Sequence, residues 1–157
     1  MVDKKIKKTI GDVIEVPTSK GLAYVQYTHE HSSHPVFGSL VRVLKGFYKE
    51  RPSKEALAEL VKQSHRFQTF CPIHHAVSHG NFELVGNFPV PECAREFPIF
   101  KSTAASPKSD LKKVIWWLWD GEKEWKVGEL SEEEMRKYPI RGVYNNTGLV
   151  GAIEKEA

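Results

Sequence analysis

The chain has 157 residues, 40% hydrophobic, 27% charged and 11% aromatic, which is one domain's length with apolar mass for a single core and excludes a disordered chain. No apolar run approaches the ~20 residues a membrane helix needs, and the basic N-terminus has no apolar stretch behind it, so neither a span nor a secretory signal is expected. Two cysteines, Cys71 and Cys93, are too few for a disulfide scaffold and are read as reduced thiols of a cytoplasmic protein.

The charge is local. Lys4, Lys5, Lys7 and Lys8 against Asp3 leave +3 in the first eight residues, equal to the +3 of the whole chain. Residues 9–157 are therefore formally neutral, whereas a nucleic-acid-binding face more often shows as a basic surplus in the domain body. The expected organisation is a basic flexible arm over residues 1–9 and one globular domain over 10–157.

In chain order, Ile10 to Val16 reads as a strand, Pro17 to Gly21 as a turn, and Leu22 to Thr28 as a second strand rich in β-branched and aromatic residues. His29 to Pro35 reads as a polar loop. Val36 to Leu44 follows as a third strand, with Gly38 as a candidate bulge. Ser53 caps a helix over about 53–65, with Leu57, Leu60 and Val61 at helical spacing. Phe67 to Cys71 returns to strand, Pro72 to Gly80 suggests a helical turn closed by its glycine, and Phe82 to Gly86 is another short strand. Three prolines in 88–100 forbid a central strand there, and 101–112 is the most loop-like stretch of the chain.

Lys113 to Trp119 is a strong strand, and Asp120-Gly121 turns it back into Glu124 to Gly128. Ser131 and Glu134 form a capping box for a short helix over about 131–137. Ile140 to Tyr144 reads as a last strand, Asn145 to Gly148 as a turn, and the tail as a weak helix. Many short strands with two helices define an α+β fold. The expected core is a curved, mainly antiparallel sheet or small barrel, with the 53–65 helix packed on it.

The tryptophan hairpin is the most informative feature. A two-residue turn pairs Trp116 with Trp125, and a four-residue turn pairs Leu118 with Trp125. Both put Trp125 and Val127 on the Trp116 face, because a shift of two residues preserves parity. That apolar face is assigned to the core. The opposite face carries Trp117 and Trp119 beside Glu124 and Lys126, which makes these four the candidate binding residues for a protein partner. The competing reading is that another segment of the chain covers the two tryptophans.

His29, His31 and His34 form one histidine group, and Cys71 with His74, His75 and His79 another. Neither has a recognised metal-site spacing, so no metal and no cofactor is expected. Glycine loops for phosphate or dinucleotide and the Gly-x-Ser-x-Gly nucleophile motif are also missing from the sequence.

Ile10-Gly11-Asp12-Val13-Ile14-Glu15-Val16-Pro17, followed by Gly21-Leu22-Ala23-Tyr24-Val25-Gln26-Tyr27, resembles the opening of the immunity protein 26 family of bacterial polymorphic toxin systems. Phe97-Pro98-Ile99-Phe100 and Trp117-Leu118-Trp119-Asp120-Gly121 are similar to an aromatic step and hairpin in related uncharacterised bacterial proteins. The resemblance spans residues 10–45 and 86–145 in pieces. It implies a non-catalytic cytoplasmic protein that neutralises a toxin by occluding its surface. The alternatives are a small-barrel nucleic-acid module using Lys4, Lys5, Lys7 and Lys8 as an electrostatic arm, and an unrecognised enzyme built on the histidine groups.

Overall fold

The computed structural model describes residues 6–104 and 114–155. Lys4 and Lys5, most of the 101–112 loop and Lys113 lie outside the described residues. Five strands form one antiparallel sheet: β1 (Asp12–Thr18), β2 (Gly21–His31), β3 (Gly38–Val43), β4 (Phe67–Phe70) and β5 (Glu83–Asn87), in the order β4-β3-β2-β1-β5. The sheet is open, so of the two expected architectures the curved sheet is the one formed. β1 and β2 join through Ser19 and Lys20, with Thr18 opposite Gly21. Gly21 has φ +123, and a Cβ there would meet the Tyr48 carbonyl oxygen at 3.0 Å.

β2 runs further than its sequence suggests. The stretch read as a polar loop from His29 continues the strand to His31, because a bulge at Thr28 turns His29 and His31 onto the face of Leu40. Gly38, the expected bulge, instead opens β3 with φ +82.

Each face of the large sheet is covered. On one, Val13 and Tyr24 pack with Leu57, Leu60 and Val61 of α1 (Lys54–Lys62). Ser53 caps this helix, its Oγ accepting from the Ala56 amide at 3.1 Å. On the other, Ile14, Val16, Val25, Tyr27, Val41 and Val43 pack with Ile73 and Ala76 of α2 (Ile73–Ser78) and Leu149 and Ile153 of a C-terminal helix (Asn146–Lys155). The Asn145–Gly148 turn read from sequence is the start of that helix, with Asn145 Oδ1 accepting from the Gly148 amide at 2.7 Å.

Arg42, at 0% exposure, sits on the α1 face opposite Gln26. Its Nε donates to Gln26 Oε1 at 2.8 Å, its Nη1 to the Gln63 carbonyl at 3.1 Å, and its Nη2 to the Val61 carbonyl. The last carbonyls of a helix lack intrahelical donors and carry partial negative charge, so a buried guanidinium satisfies them and is itself satisfied.

A second polar set lies nearer the sheet edge. Glu15 accepts from Arg51 Nε at 2.7 Å and from the Tyr24 hydroxyl at 2.8 Å, and Arg51 also bonds Glu83 at 2.5 Å. On the α2 side His74 Nε2 bonds Asp12 Oδ2 at 2.8 Å, both residues being buried. Asp12 further accepts from the Thr9 amide at 3.0 Å and from Asn87 Nδ2 at 3.0 Å. Lys8 Nζ donates to Glu30 at 3.3 Å and Ser39 Oγ at 3.1 Å. Lys8 and Thr9 are thus hydrogen-bonded to the large sheet and its approach.

Arg42→Met leaves two helix-end carbonyls and Gln26 without their donor, so denaturant titration should show a loss of about 2–4 kcal/mol. Arg51 hydrogen bonds hold the Glu15 carboxyl below its ordinary value of 4.5, against the opposing effect of burial. A depressed acid stabilises the fold above its unfolded pKa, and this stabilisation is lost as pH falls through the folded one. Denaturant titrations of Arg51→Met should therefore show a deficit against the native chain at neutral pH that shrinks steadily below about pH 4.

Candidate functional site

The candidate residues lie on a second, three-stranded antiparallel sheet of β6 (Phe100–Ser102), β7 (Trp116–Trp119) and β8 (Glu124–Gly128), in that order. The four-residue turn is the one formed: Leu118 pairs with Trp125, Trp119 with Glu124 and Trp117 with Lys126. Asp120 sets this turn. Its amide donates to the Lys123 carbonyl at 3.1 Å, and its Oδ1 accepts from the Glu122 and Lys123 amides at 2.9 and 2.7 Å. These backbone bonds lower the Asp120 carboxyl pKa. A bulge at Val127 then brings Trp116 opposite Gly128.

Alternation puts Trp116, Leu118 and Trp125 on one face and Trp117, Trp119, Glu124 and Lys126 on the other. The first face is covered by α3 (Glu132–Lys137), whose Ser131–Glu134 capping box is present as expected. Trp116 is 2% exposed and packs with Val114, Leu130 and Met135. Lys101, from β6, donates to the Met135 carbonyl and to the Tyr138 carbonyl at 2.5 Å, so a buried ammonium closes the C-terminus of α3. Trp125 shares this face by parity but is 38% exposed, beyond the reach of the helix. Its expected burial is corrected, as is that of Val127.

The second face is divided. Its Trp119 end packs onto the large sheet, where Trp119 lies 4.8 Å from Phe37, 4.9 Å from His31, 5.8 Å from Phe100, 5.9 Å from Phe97 and 6.0 Å from Phe70 between ring centroids. His31 Nδ1 accepts from the Phe37 amide at 3.2 Å, so Nε2 carries the proton that the Gly121 carbonyl accepts at 2.7 Å. That bond ties the hairpin tip to β2. The Arg141 guanidinium lies over Trp119 and Phe37 and reaches Glu124 Oε2 at 2.7 Å. Trp119 is thus 5% exposed and is a core residue rather than a surface anchor. Trp117, two residues earlier, projects past the large sheet and is 39% exposed between Ser102 and Lys126.

His75 and His79 lie against each other with ring centroids 4.1 Å apart, while His74 turns to Asp12 and the first group is dispersed. His29 bonds Thr28 Oγ1 and the Arg95 carbonyl, His31 bonds Phe37 and Gly121, and His34 is exposed. Cys71 is buried, and burial pushes its thiol up to about 12. Among the described residues no group of three or more His, Cys, Asp or Glu is placed to hold a metal ion. No described helix is long and apolar enough to cross a membrane.

The chain is thus an α+β protein with an open five-stranded sheet, helices on both its faces and a docked three-stranded sheet. No family model matches it, and no curated protein or solved structure matches it.

Sequence reasoning found Trp117, Glu124 and Lys126 on one face. It missed Arg141, which fixes Glu124 from a segment with no strong pattern of its own. It also missed the exposure of Trp125. Trp119→Ala should empty part of the aromatic cluster and cost about 3–5 kcal/mol. Trp117→Ala should cost less than about 1 kcal/mol. Guanidinium titration of the two variants checks this ordering.

Proposed function

We propose that the chain is a non-catalytic protein-binding module and that its partner docks on the face carrying Trp117, Glu124 and Lys126. The partner class is a protein toxin, as the resemblance to immunity protein 26 implies, and neutralisation is by occlusion. The observation that carries this reading is a half-exposed tryptophan on a preformed surface. The Trp117 backbone is paired on both sides, and Arg141 orients the neighbouring carboxylate. A rigid aromatic anchor beside a glutamate and a lysine of the neighbouring strand costs little entropy to bind and is the kind of residue on which interfaces depend. The neutral charge of residues 9–157 favours a protein partner over a nucleic acid.

The test is protection of cells that express single bacterial polymorphic-toxin domains, in search of the one this chain neutralises. The native protein should restore growth. Trp117→Ala should bind the purified toxin at least roughly thirtyfold more weakly, a loss of about 2 kcal/mol or more, while melting like the native chain. Removal of residues 1–5 should leave binding unchanged. Lost binding on removing those residues, with Trp117→Ala silent, would overturn the proposal in favour of the electrostatic arm.

A further inference from the structure

The two sheets present four edges, and one segment closes two of them. Residues 139–144 run beside β6, with the Lys101 amide donating to the Pro139 carbonyl at 2.8 Å and the Arg141 amide to the Lys101 carbonyl at 2.9 Å. They then cross to β4, where the Tyr144 amide donates to the Phe70 carbonyl at 2.9 Å. In the small sheet this leaves β8 as the edge with no strand alongside among the described residues. β8 also carries side chains without partners. Lys126 makes no ion pair and Trp125 no ring contact among the described residues, and both are exposed.

We propose that β8 pairs with β8 of a second copy of this chain, antiparallel and centred on Trp125, making one six-stranded sheet across a two-fold axis. Parity and charge select this register. A two-fold axis normal to the sheet keeps each face on its own side, so directly opposed residues must share a face and the centre must fall on a residue. Centred on Lys126, the pairing sets lysine against lysine. Centred on Glu124, it sets glutamate against glutamate. Centred on Trp125, it sets each Glu124 against Lys126 of the other copy and Trp125 against Trp125, so both charge pairs are opposite and the aromatic pair is cross-strand. The bulge at Val127 confines regular pairing to Glu124–Lys126, so the contact is small and reversible. Because Trp117 lies one strand in from β8, pairing brings two Trp117 side chains onto the same face, three strand spacings across and two residues along, about 16 Å apart. A partner docking there would meet a doubled surface.

Sedimentation of the full chain, without any partner, should show a dimer fraction rising between about 10 μM and 1 mM, the range of a small interface. Lys126→Glu alone and Glu124→Lys alone each create like-charge pairs and should sediment as monomers. Mixed in equal amounts they restore both opposite pairs, so the mixture should recover the native dimer fraction. A native chain monomeric at 1 mM, or Lys126→Glu that dimerises normally, overturns the proposal. Should Glu124→Lys fail to fold beside Arg141, cysteine cross-linking decides the register. Under a disulfide oxidant and on a Cys93→Ser background, Trp125→Cys should cross-link to itself faster than Lys126→Cys, because only the central residue faces its own copy at disulfide distance. The reverse order overturns it.

Discussion

A guanidinium with no solvent exposure fixes how the largest layer of the molecule is assembled. Arg42 lies on β3, an interior strand of the five-stranded sheet, and two of its donors end on α1's terminal carbonyls. Unpaired, a buried cation there would cost several kcal/mol. The helix end supplies the missing partners, which places α1's C-terminus over Gln26 and lets Leu57, Leu60 and Val61 meet Tyr24 and Val13. The device recurs. Lys101 closes α3, and Arg66 donates to the Ile153 carbonyl at 2.7 Å near the end of the C-terminal helix, where Lys20 also reaches the Glu154 carbonyl at 2.8 Å. In each case a basic side chain from a strand, a turn or a strand's flank meets the negative end of a helix. The cation is neutralised by peptide dipoles, which helps the chain bury basic groups without burying matching carboxylates.

The aromatic cluster does the equivalent work between the sheets. Phe70 and Leu40 come from the large sheet, Phe100 and Trp119 from the small one, and Phe37 and Phe97 from the connections. His31 adds direction to this otherwise non-directional packing, because its bond to the Gly121 carbonyl specifies where the hairpin tip must sit. Gly121 at φ +102 permits the approach, since a Cβ there would meet the Phe97 ring at 2.9 Å. The docked sheet therefore holds Trp117 still while leaving it outside.

Much of this was legible locally. The Ser53 and Ser131 caps, the Leu57–Leu60–Val61 stripe and the β1–β2 hairpin are set by near neighbours in sequence, so pattern reading finds them. The hairpin's turn was less so. Asp120-Gly121 favours a two-residue turn by composition, but the Asp120 carboxylate gathers the Glu122 and Lys123 amides and stabilises the four-residue form. The burial of Trp119 was not legible, because alternation assigns a side chain to a face and not to what covers that face. Its cover comes from residues 31, 37, 70, 97 and 100, most of them far away in sequence. His29 and His31 misled for a related reason: a bulge at Thr28 turns what looks like a polar loop into an inward-facing strand end.

The exposure of the hairpin edge traces to one proline. Pro139 disfavours helical backbone at the residue before it, and Tyr138 is accordingly extended, with φ −100 and ψ 125. This ends α3 after six residues, about 9 Å of helix. That length covers Trp116 through Met135, and Trp125, which parity places on the same face, stays 38% exposed. The same stop sends the chain along β6 and then to β4, closing those two edges and none of β8. Among the described residues one edge of each sheet is thus closed and β5 and β8 stay open, and of these β8 is the one whose side chains alternate glutamate, tryptophan and lysine.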